Sequence, residues 1–592
     1  MTDDARGQLL VSKVPLSFWG GVNPDSGVVV DEHHPLKGEN LVGRVVAIPS
    51  GRGSCSGSGA LLELILNDRA PAALLFVESE EILLLGALIG AMMFGKSMPV
   101  LRVNQSVFDQ LRSGDEVSIQ HNEIVLMSAD VIQTFSAVRL DQSSKAGSAY
   151  DSADTSDASQ QCDSALLKLT PRDREFLAGL HGKAAEVAMR IVLRMAVIQG
   201  AAELIPVTQA HIDGCIYHGP SSLQFAQQLV EWGAQVQVPT TLNALSVDQR
   251  RWQKQGVDPE VGEPASLLGD AYMAMGCQLS YTCAPYLLDT APTFGEQIVW
   301  AESNAVAYAN SVLGARTQKY PDFLDICIAL TGRAPGAGAH LEQWRKPTVC
   351  VSMLPIVEPD DAFWPLLGYH VGLIASNDIP LVLGLEDLPA TTDDLKAFSA
   401  AFATSSSMAM FHIAGHTPEA QWAAQSVAQP TADVDTEVSV VSVSLRDLLS
   451  SWRELNTADC EHVDMICLGN PHFSLTECQS LAALCIGREK DAQVDVIVTV
   501  GREIMAQAAH AGAIEELRKF GVQFINDTCW CMLQEPVIPK VGSTLMTNSG
   551  KYAHYGPGLV DRRMHFGSLA ECVDAACSGK RRMRLPKWLQ TP

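Results

Sequence analysis

The sequence predicts an α/β protein in which a small N-terminal domain precedes a much larger α/β portion. In the first 140 residues or so, short runs of Val, Ile and Leu such as GRVVAIPS and AALLFVES alternate with an apolar helical stretch. Further on, the strand-like runs CVSMLPIV, VDMICLG and VDVIVTVG each precede a loop and a helical pattern, as in a parallel sheet. Between the two parts, residues 142–164 are rich in Ser, Ala, Asp and Gln and read as a flexible linker. We therefore expect domains at residues 1–141 and 165–592.

Composition limits the possible partners. The chain of 592 residues is 47% hydrophobic, as a globular protein is, and carries a formal charge of −25. That charge disfavours nucleic acid and anionic membranes, so we expect neither as a partner. The start, MTDDARGQLL, lacks a signal pattern and predicts a cytoplasmic protein. The most apolar run, Ile82–Phe94, is shorter than the roughly 20 residues of a membrane span and predicts a buried helix.

A Gly/Ser-rich loop is the first candidate site. VVAIP is followed by SGRGSCSGSG, residues 50–59, and then by the helical ALLELIL. The free N–H groups of a helix start attract anions, and Arg52 adds a bidentate donor for a carboxylate. The loop lacks the lysine of GxxxxGK[ST] and the spacing of GxGxxG, which disfavours a nucleotide site. A Gly/Ser turn without function is the alternative.

Beyond the linker, Thr170 and Pro171 suit an N-cap and a first helical position, and predict a helix pair or one broken helix. The chain has 15 cysteines, an odd number that disfavours a disulfide framework. Cys283, Cys467 and Cys529 each end an extended run beside a loop, where ligand sites of parallel sheets lie. With no CxxC pair, buried thiols without a ligand are the alternative for each.

Polar clusters accompany these cysteines and could grip a carboxylate. They comprise Glu302, Ser303, Asn304, Arg316, Thr317 and Lys551, with His472 in a loop after Pro471. The stretch ESNAVAYANSVLGART reads as a helix with Ser303 and Asn310 on one face, so that a buried polar seam is the competing interpretation. A solvated histidine is the competing interpretation of His472.

Taken together, SGRGSCSGSG, YTCAPYL, WAESNAVAYANSVLGART, LGNPHFSL, NDTCW and TNSGKYAHY resemble the aconitase X family of hydro-lyases, in the family's order and over nearly the whole chain. The resemblance implies an aconitase-like fold. A small swivel domain, residues 1–141, is fused ahead of a large multi-unit α/β catalytic portion, with the active site in the cleft between them. In aconitase the swivel domain comes last, so the order is permuted.

The resemblance also implies roles for individual residues. Ser54 matches the serine base, Arg52 belongs to the anion site, and Ser58 is a second candidate. Cys283, Cys467 and Cys529 would hold an iron-sulfur cluster, 2Fe-2S or other, or a mononuclear iron, acting as Lewis acid. Some relatives carry a cysteine where this chain has Asn470, which makes Cys467 the least secure ligand.

The fused arrangement resembles the branch of the family that removes water from cis-3-hydroxy-L-proline, giving a pyrroline-2-carboxylate. A small hydroxy or imino acid is thus the expected partner, with Glu302, Ser303, Asn304, Arg316 and Lys551 as grips, and the oligomeric state stays open. One alternative is dehydration of a phosphorylated hydroxy acid such as mevalonate 5-phosphate. The other is a non-catalytic iron- or RNA-sensing relative, against which the charge of −25 argues.

Overall fold

A computed structural model describes residues 4–78, 80–127, 132–140, 167–428 and 438–590. The predicted linker, residues 142–164, lies outside these ranges. The chain forms two compact units. The first unit contains Met1–Thr240, Asp270–Cys277 and Tyr320–Gly338, and the second contains Thr241–Gly269, Gln278–Lys319 and Ala339–Pro592.

The N-terminal part of the first unit is an eight-stranded mixed sheet, ordered β7-β6-β5-β1-β2-β3-β4-β8 in the described residues. Strands β1 to β4 run parallel, whereas β5 to β8 pair antiparallel with their neighbours. The strands are β1 Ala5–Val11, β2 Val45–Ala47, β3 Ala73–Phe76, β4 Val100–Arg102, β5 Glu116–Gln120, β6 Glu123–Met127, β7 Ile132–Ser136 and β8 Val138–Arg139. The helices are α1 Gly57–Leu66, α2 Ile82–Phe94 and α3 Gln105–Phe108.

The predicted apolar helix is confirmed, since Ile82–Phe94 forms α2 with eight of its thirteen residues buried. The predicted helix start at Thr170 and Pro171 and the predicted helix pair are also confirmed. Thr170 and Asp173 form a capping box at the start of α4, Pro171–Leu177, and a second helix, α5, follows at Lys183–Ile198. The rest of this unit includes β9 Leu204–Pro206, β10 Ala210–Ile212, α6 Pro220–Glu231, α9 Leu324–Thr331 and β13 Arg333–Pro335. Strand β11, Thr240–Leu242, and helix α7, Pro259–Ala274, each have residues in both units, because the boundaries between the units fall within them.

The second unit contains two parallel sheets, as the strand and helix rhythm predicts. One, of order β16-β15-β14-β17, includes VCVSM at Val349–Met353. The other, of order β20-β19-β18-β21-β22, includes MICL at Met465–Leu468 and DVIVT at Asp495–Thr499. The strands are β12 Val299–Trp300, β14 Val349–Met353, β15 Pro380–Leu383, β16 His412–Ile413, β17 Ser439–Val443, β18 Met465–Leu468, β19 Asp495–Thr499, β20 Val522–Ile525, β21 Thr544–Thr547 and β22 Arg563–Phe566.

Helices cover both sheets of this unit and bury apolar cores rich in Val, Leu, Phe and Ala. They are α8 Ser303–Tyr308, α10 Phe363–Ala375, α11 Thr392–Ser405, α12 Ala420–Ala428, α13 Leu445–Leu455, α14 Leu475–Cys485, α15 Arg502–His510, α16 Ala513–Phe520, α17 Gly550–Val560 and α18 Leu569–Ser578. A π-helical turn, Ala309–Leu313, continues α8. Among the described residues, no helix is long and apolar enough to cross a membrane.

Candidate active site

Three cysteine thiols meet inside the second unit. The Cys529 sulfur hydrogen-bonds with the thiols of Cys283 and Cys531, and all three residues are at most 7% exposed. Cys529 and Cys531 flank Trp530 in the loop after β20, and the Trp530 indole N–H fixes that loop by donating to the Leu468 carbonyl at 2.6 Å. Cys283 and Cys529 were predicted from the sequence and Cys531 was not, although the Cys-x-Cys spacing in DTCWCM offered a signal.

The loop after β18 supplies donors to two of these sulfurs. The His472 main-chain N–H donates to the Cys283 sulfur at 3.3 Å, and the Asn470 amide donates to the Cys531 sulfur at 3.1 Å. Gly469 allows the loop to turn, because its φ is +96° and a Cβ there would lie 2.2 Å from the Thr499 carbonyl oxygen. This backbone therefore brings Asn470 and His472 to the thiols.

The imidazole of His472 is held from both sides. Its Nε2–H donates to the Thr528 carbonyl at 2.8 Å, so Nδ1 is the acceptor of the Thr282 hydroxyl at 3.1 Å. Burial lowers the pKa of His472, which favours the neutral ring. The ring thus positions the loop, and His472 acts on Cys283 through its main chain.

Beside the thiols lies a buried ion pair. Lys551 Nζ is 2.7 Å from Glu302 Oε1, which also accepts from the Asn304 amide at 2.6 Å. Asn304 in turn donates to the Cys283 carbonyl at 3.0 Å and accepts from the Tyr286 hydroxyl at 2.8 Å. Three of the predicted grips, Glu302, Asn304 and Lys551, therefore form one hydrogen-bonded group next to Cys283.

Charge is distributed unevenly over this cluster. Hydrogen bonds from the Cys283 and Cys531 thiols lower the pKa of Cys529, and Lys551 adds to that effect. Burial raises the pKa of Cys283 and Cys531. Burial opposes the charge of Lys551, but Glu302 and the nearby sulfurs together raise its pKa. The Lys551 ammonium is therefore shared between the Glu302 carboxylate and the nearby sulfurs.

The chemistry of these donors fits an iron centre. Thiolates are the protein ligands of iron-sulfur clusters, and hydrogen bonds to their sulfurs tune such clusters. Two buried hydroxyls beside the thiols, Thr528 Oγ1 and Tyr552 Oη, have no hydrogen-bond partner within the described residues, so they are available to a bound group. In the same part of the chain, no three His, Cys, Asp or Glu side chains are arranged around a single metal ion.

The remaining predicted residues of this unit lie in other surroundings. Cys467 is inside β18, not at its end, and burial, with a smaller effect of the Cys572 thiol, raises its pKa. Arg316 faces Glu419 at 3.8 Å. Thr317 is buried, and its hydroxyl bonds to the main chain of Trp300. Ser303 begins α8 and is 4% exposed.

Asn310 is a buried, hydrogen-bonded polar residue as the competing interpretation predicts, but none of its hydrogen bonds in the described residues joins it to Ser303. Its amide donates to the carbonyls of Thr317 and Ala409 at 2.9 and 3.0 Å, and its oxygen accepts from Arg345 at 3.0 Å. Arg345 is fully buried and pairs with Glu419 at 2.6 Å. Asn310 therefore joins elements of the fold through its hydrogen bonds.

In the first unit, the Gly/Ser loop leads into α1 as predicted. Ser54 is 4% exposed and lies two residues before the N-cap, Ser56, whose N–H donates to Ser54 Oγ at 3.3 Å. Arg52 reaches Asp31 with a 2.7 Å contact. The loop thus presents a hydroxyl near the positive end of a ten-residue helix, with Arg52 held by a carboxylate.

Two neighbouring hydroxyls, those of Ser56 and Ser58, connect this loop by hydrogen bonds to Asp213 and Asp322 of the same unit. Ser56 Oγ donates to Asp213 at 3.1 Å, and Ser58 Oγ to the carbonyls of Cys55 and Asp322 at 3.2 and 3.3 Å. Ser58 is fully buried and spends its hydroxyl on the fold. The sequence carried no sign of the contact between Ser56 and Asp213, which are 157 positions apart.

Fold and site together define the class of this protein. It has a β-rich N-terminal domain carrying a serine loop at a helix start, and α/β domains carrying a buried thiol cluster beside a carboxylate–ammonium pair. Models of the aconitase X swivel, first, second and third domains match residues 1–127, 166–343, 347–453 and 463–578. The chain belongs to the aconitase X family.

Two curated relatives match nearly the whole chain, and one solved structure matches about two thirds of it. The chain is 51% identical to cis-3-hydroxy-L-proline dehydratase of Hypocrea jecorina over 99% of this chain and 96% of that protein. It is 49% identical to cis-3-hydroxy-L-proline dehydratase of Pseudomonas aeruginosa over 99% and 97%. The crystal structure of Thermococcus kodakaraensis aconitase X in its holo-form superposes with a TM-score of 0.61 at 31% identity, covering 69% of this chain and all of that one.

Proposed function

We propose that this protein is a hydro-lyase that removes water from cis-3-hydroxy-L-proline and releases a pyrroline-2-carboxylate. The observation that carries the proposal is identity of about half of the residues, over nearly the full length, with two proteins of that name. The swivel, first, second and third aconitase X domains are all matched in the chain.

The reaction breaks the Cα–H bond and the bond from carbon 3 to its hydroxyl. Its first difficulty is removal of the α-proton next to a carboxylate, because negative charge develops on a group that is already anionic. We assign Ser54 as the base. The Ser56 N–H at 3.3 Å and the positive end of α1 favour the alkoxide over the alcohol.

Carboxylate binding is assigned to Lys551 and to Ser303 at the start of α8, while Asn304 donates both amide hydrogens to Glu302 and the Cys283 carbonyl and so holds this group in place. Lys551 already faces Glu302, so its position is fixed before substrate arrives. Arg316 and Thr317 are not assigned direct contacts with the substrate carboxylate. The Arg316 guanidinium faces Glu419, and the Thr317 hydroxyl accepts from the Trp300 main-chain N–H.

Departure of the hydroxyl requires an electrophile, for which we propose an iron-sulfur centre held by Cys283 and Cys529, with Cys467 as the third ligand expected from the family resemblance. When bound, such a centre supplies Lewis acidity toward the leaving hydroxyl. The residues of the chain hold the sulfurs. His472 donates its main-chain N–H to Cys283, and the Lys551 ammonium, which also pairs with Glu302, attracts the negative charge of the thiolates.

The test is turnover by anaerobically purified protein of known iron content. Cis-3-hydroxy-L-proline is expected to yield one pyrroline-2-carboxylate per water released, whereas mevalonate 5-phosphate and trans-3-hydroxy-L-proline serve as matched comparison substrates. Turnover of the phosphorylated acid in preference to the imino acid would replace the proposed substrate. Iron-replete protein that releases water from neither compound would refute the proposed activity.

A further inference from the structure

We propose that Asp213 is a positioning residue of the dehydration reaction, because it holds Ser56 by the hydroxyl and thereby fixes the N–H group that faces Ser54. This inference rests on the proposed function, in which Ser54 is the base. It assigns a role to Asp213 and Ser56, neither of which was among the predicted site residues.

Ser56 connects Asp213 to Ser54 by two hydrogen bonds. Its hydroxyl donates to Asp213 Oδ2 at 3.1 Å, and its main-chain N–H donates to Ser54 Oγ at 3.3 Å. Ser56 and Asp213 are both fully buried, so water does not compete for the bond between them. The Asp213 carboxylate therefore holds Ser56 and, with it, the peptide N–H that Ser54 accepts.

The place of Ser56 in the helix shows that this bond replaces an ordinary one. Ser56 is the N-cap of α1, where a serine hydroxyl usually accepts from an N–H group of the first turn. Its side chain makes no such bond, although a cap of this kind stabilises a helix by about 1 kcal/mol. The hydroxyl is directed at Asp213 instead, so a long-range bond takes the place of the local one.

Asp213 is itself held firmly by its main chain. It follows β10, and its N–H donates to Asp325 Oδ2 at 2.8 Å, to which the Gly214 N–H also donates at 3.1 Å. The other Asp325 oxygen accepts from the Ile326 N–H at 2.7 Å in the first turn of α9. These bonds join β10 to α9, so the Asp213 carboxylate reaches Ser56 from a fixed position, as the orientation of a reacting group requires.

The hydroxyl of Ser54 stays available within this held loop. Among the described residues, Ser54 Oγ accepts from Ser56 and donates to no other group, whereas Ser58 donates to two main-chain carbonyls. The loop is also held before Ser54, since the Gly51 N–H donates to the Glu80 carboxylate at 2.7 Å. The fold therefore fixes the loop on both sides of Ser54 and leaves the proton of its hydroxyl uncommitted.

A purely structural role is the alternative, because a buried carboxylate needs hydrogen-bond donors whatever its function. The negative charge of Asp213 does not favour an alkoxide at Ser54, since like charges repel. Its contribution to the reaction is therefore orientation, which must act through Ser56. That requirement separates the two roles, because a structural contact would change stability without any dependence on Ser54.

The experiment measures kcat and KM for cis-3-hydroxy-L-proline at equal iron content in Ser56→Ala, Asp213→Ala and the double variant, and repeats Ser56→Ala in the Ser54→Ala background. Circular dichroism and the urea midpoint show whether each variant is folded. Ser56→Ala is decisive even if Asp213→Ala does not fold, because it keeps the main-chain N–H and removes only the hydroxyl.

Thr331→Val is the matched control. The Thr331 hydroxyl is also buried in the first unit, and it bonds to the main-chain carbonyls of Cys327 and Ile328 at the C-terminal end of α9. Its removal therefore takes a buried hydroxyl from the same unit without touching the serine loop, and wild-type kcat is expected.

Ser56→Ala and Asp213→Ala are each expected to lower kcat about 10- to 100-fold with an unchanged KM, as a misplaced catalytic group does. The double variant is expected to lose no more than Ser56→Ala alone, because Asp213 acts through Ser56. In the Ser54→Ala background, Ser56→Ala is expected to leave the residual kcat unchanged.

Folded Ser56→Ala with the kcat of the wild type would overturn the proposal. So would an equal loss of kcat from Ser56→Ala with and without Ser54, or a double variant in which the two single losses multiply, because either result shows that the residues do not act through Ser54. Wild-type protein that releases no water from cis-3-hydroxy-L-proline would instead overturn the proposed function on which this inference rests.

Discussion

Lys551→Met tests how the buried ion pair beside the thiols is stabilised. The side chains of Lys551 and Glu302 are 7% and 5% exposed, so removal of the ammonium leaves a carboxylate away from water. Breaking one partner of such a pair costs about 3 to 5 kcal/mol. Glu302 keeps the Asn304 amide at 2.6 Å and that of Asn243 at 3.4 Å, so we expect the lower end, about 3 kcal/mol.

The comparison that isolates the pair is a double-mutant cycle with Glu302→Gln. The double variant leaves no buried carboxylate unpaired, so its destabilisation is expected to be smaller than the sum of the two single variants, while the loss of Lys551 from the thiols is common to it and to Lys551→Met. A chain with several domains need not unfold in one step. The cycle therefore compares the urea midpoint of one and the same unfolding transition in all four proteins, monitored by circular dichroism at equal iron content. The reasoning is refuted if the double variant loses as much unfolding free energy as the two single variants lose together.

Three further predictions follow from particular contacts. Ser54→Ala is expected to lower kcat by a factor of about 10² to 10⁴ with unchanged iron content, as loss of a general base does, and a variant with wild-type kcat would remove Ser54 from that role. His412 has its pKa lowered to about 4 by burial, so the folded state gains stability above the unfolded pKa of 6.5 and loses it as pH falls toward 4. Between pH 6.5 and 4.5 the free energy of unfolding of His412→Gln, measured by urea titration, should therefore fall by roughly 2 kcal/mol less than that of the wild type. An equal fall in both proteins would contradict this. Burial raises the pKa of Asp325 from 3.8 to about 6, which stabilises the folded state below pH 4 and removes that stabilisation as pH rises through 6. Between pH 4 and 7 this titration should lower the free energy of unfolding of the wild type by about 3 kcal/mol, and Asp325→Asn should lack that fall. If the variant has the same dependence of unfolding free energy on pH as the wild type, the titration belongs to another group.

Local structure was predictable from the sequence where short-range chemistry decides it. The helix Ile82–Phe94 follows from its apolar composition, and the start of α4 follows from Thr170 and Pro171. The parallel strands at Val349–Met353 and Met465–Leu468 follow from continuous apolar runs, although composition alone could not assign them to two different sheets.

The candidate site was predictable only in part, because its contacts join distant positions. Cys283 and Cys529 are 246 positions apart, and only the family resemblance selected them from fifteen cysteines. The mutual pairing of Glu302 and Lys551 was missed, since a carboxylate and an ammonium read equally well as separate substrate grips. Cys531 was missed because Cys-x-Cys is not among the usual metal-binding spacings.

The Gly/Ser loop shows the same division. Its position before a helix was evident from glycine content and the following apolar run. The pairing of Arg52 with Asp31, and of Ser56 with Asp213, depends on tertiary contacts that no local pattern encodes. These contacts decide which hydroxyl of the loop is held by the fold and which is left for chemistry.

The central claim is that dehydration of cis-3-hydroxy-L-proline depends on iron bound by the buried thiols. The most direct measurement is pyrroline-2-carboxylate formation by anaerobic wild-type protein and by Cys529→Ser, with iron determined on the same samples. The account predicts product from the wild type in proportion to its iron, and neither iron nor product from the variant. Product formation by iron-free protein, or by a variant that binds no iron, would contradict it.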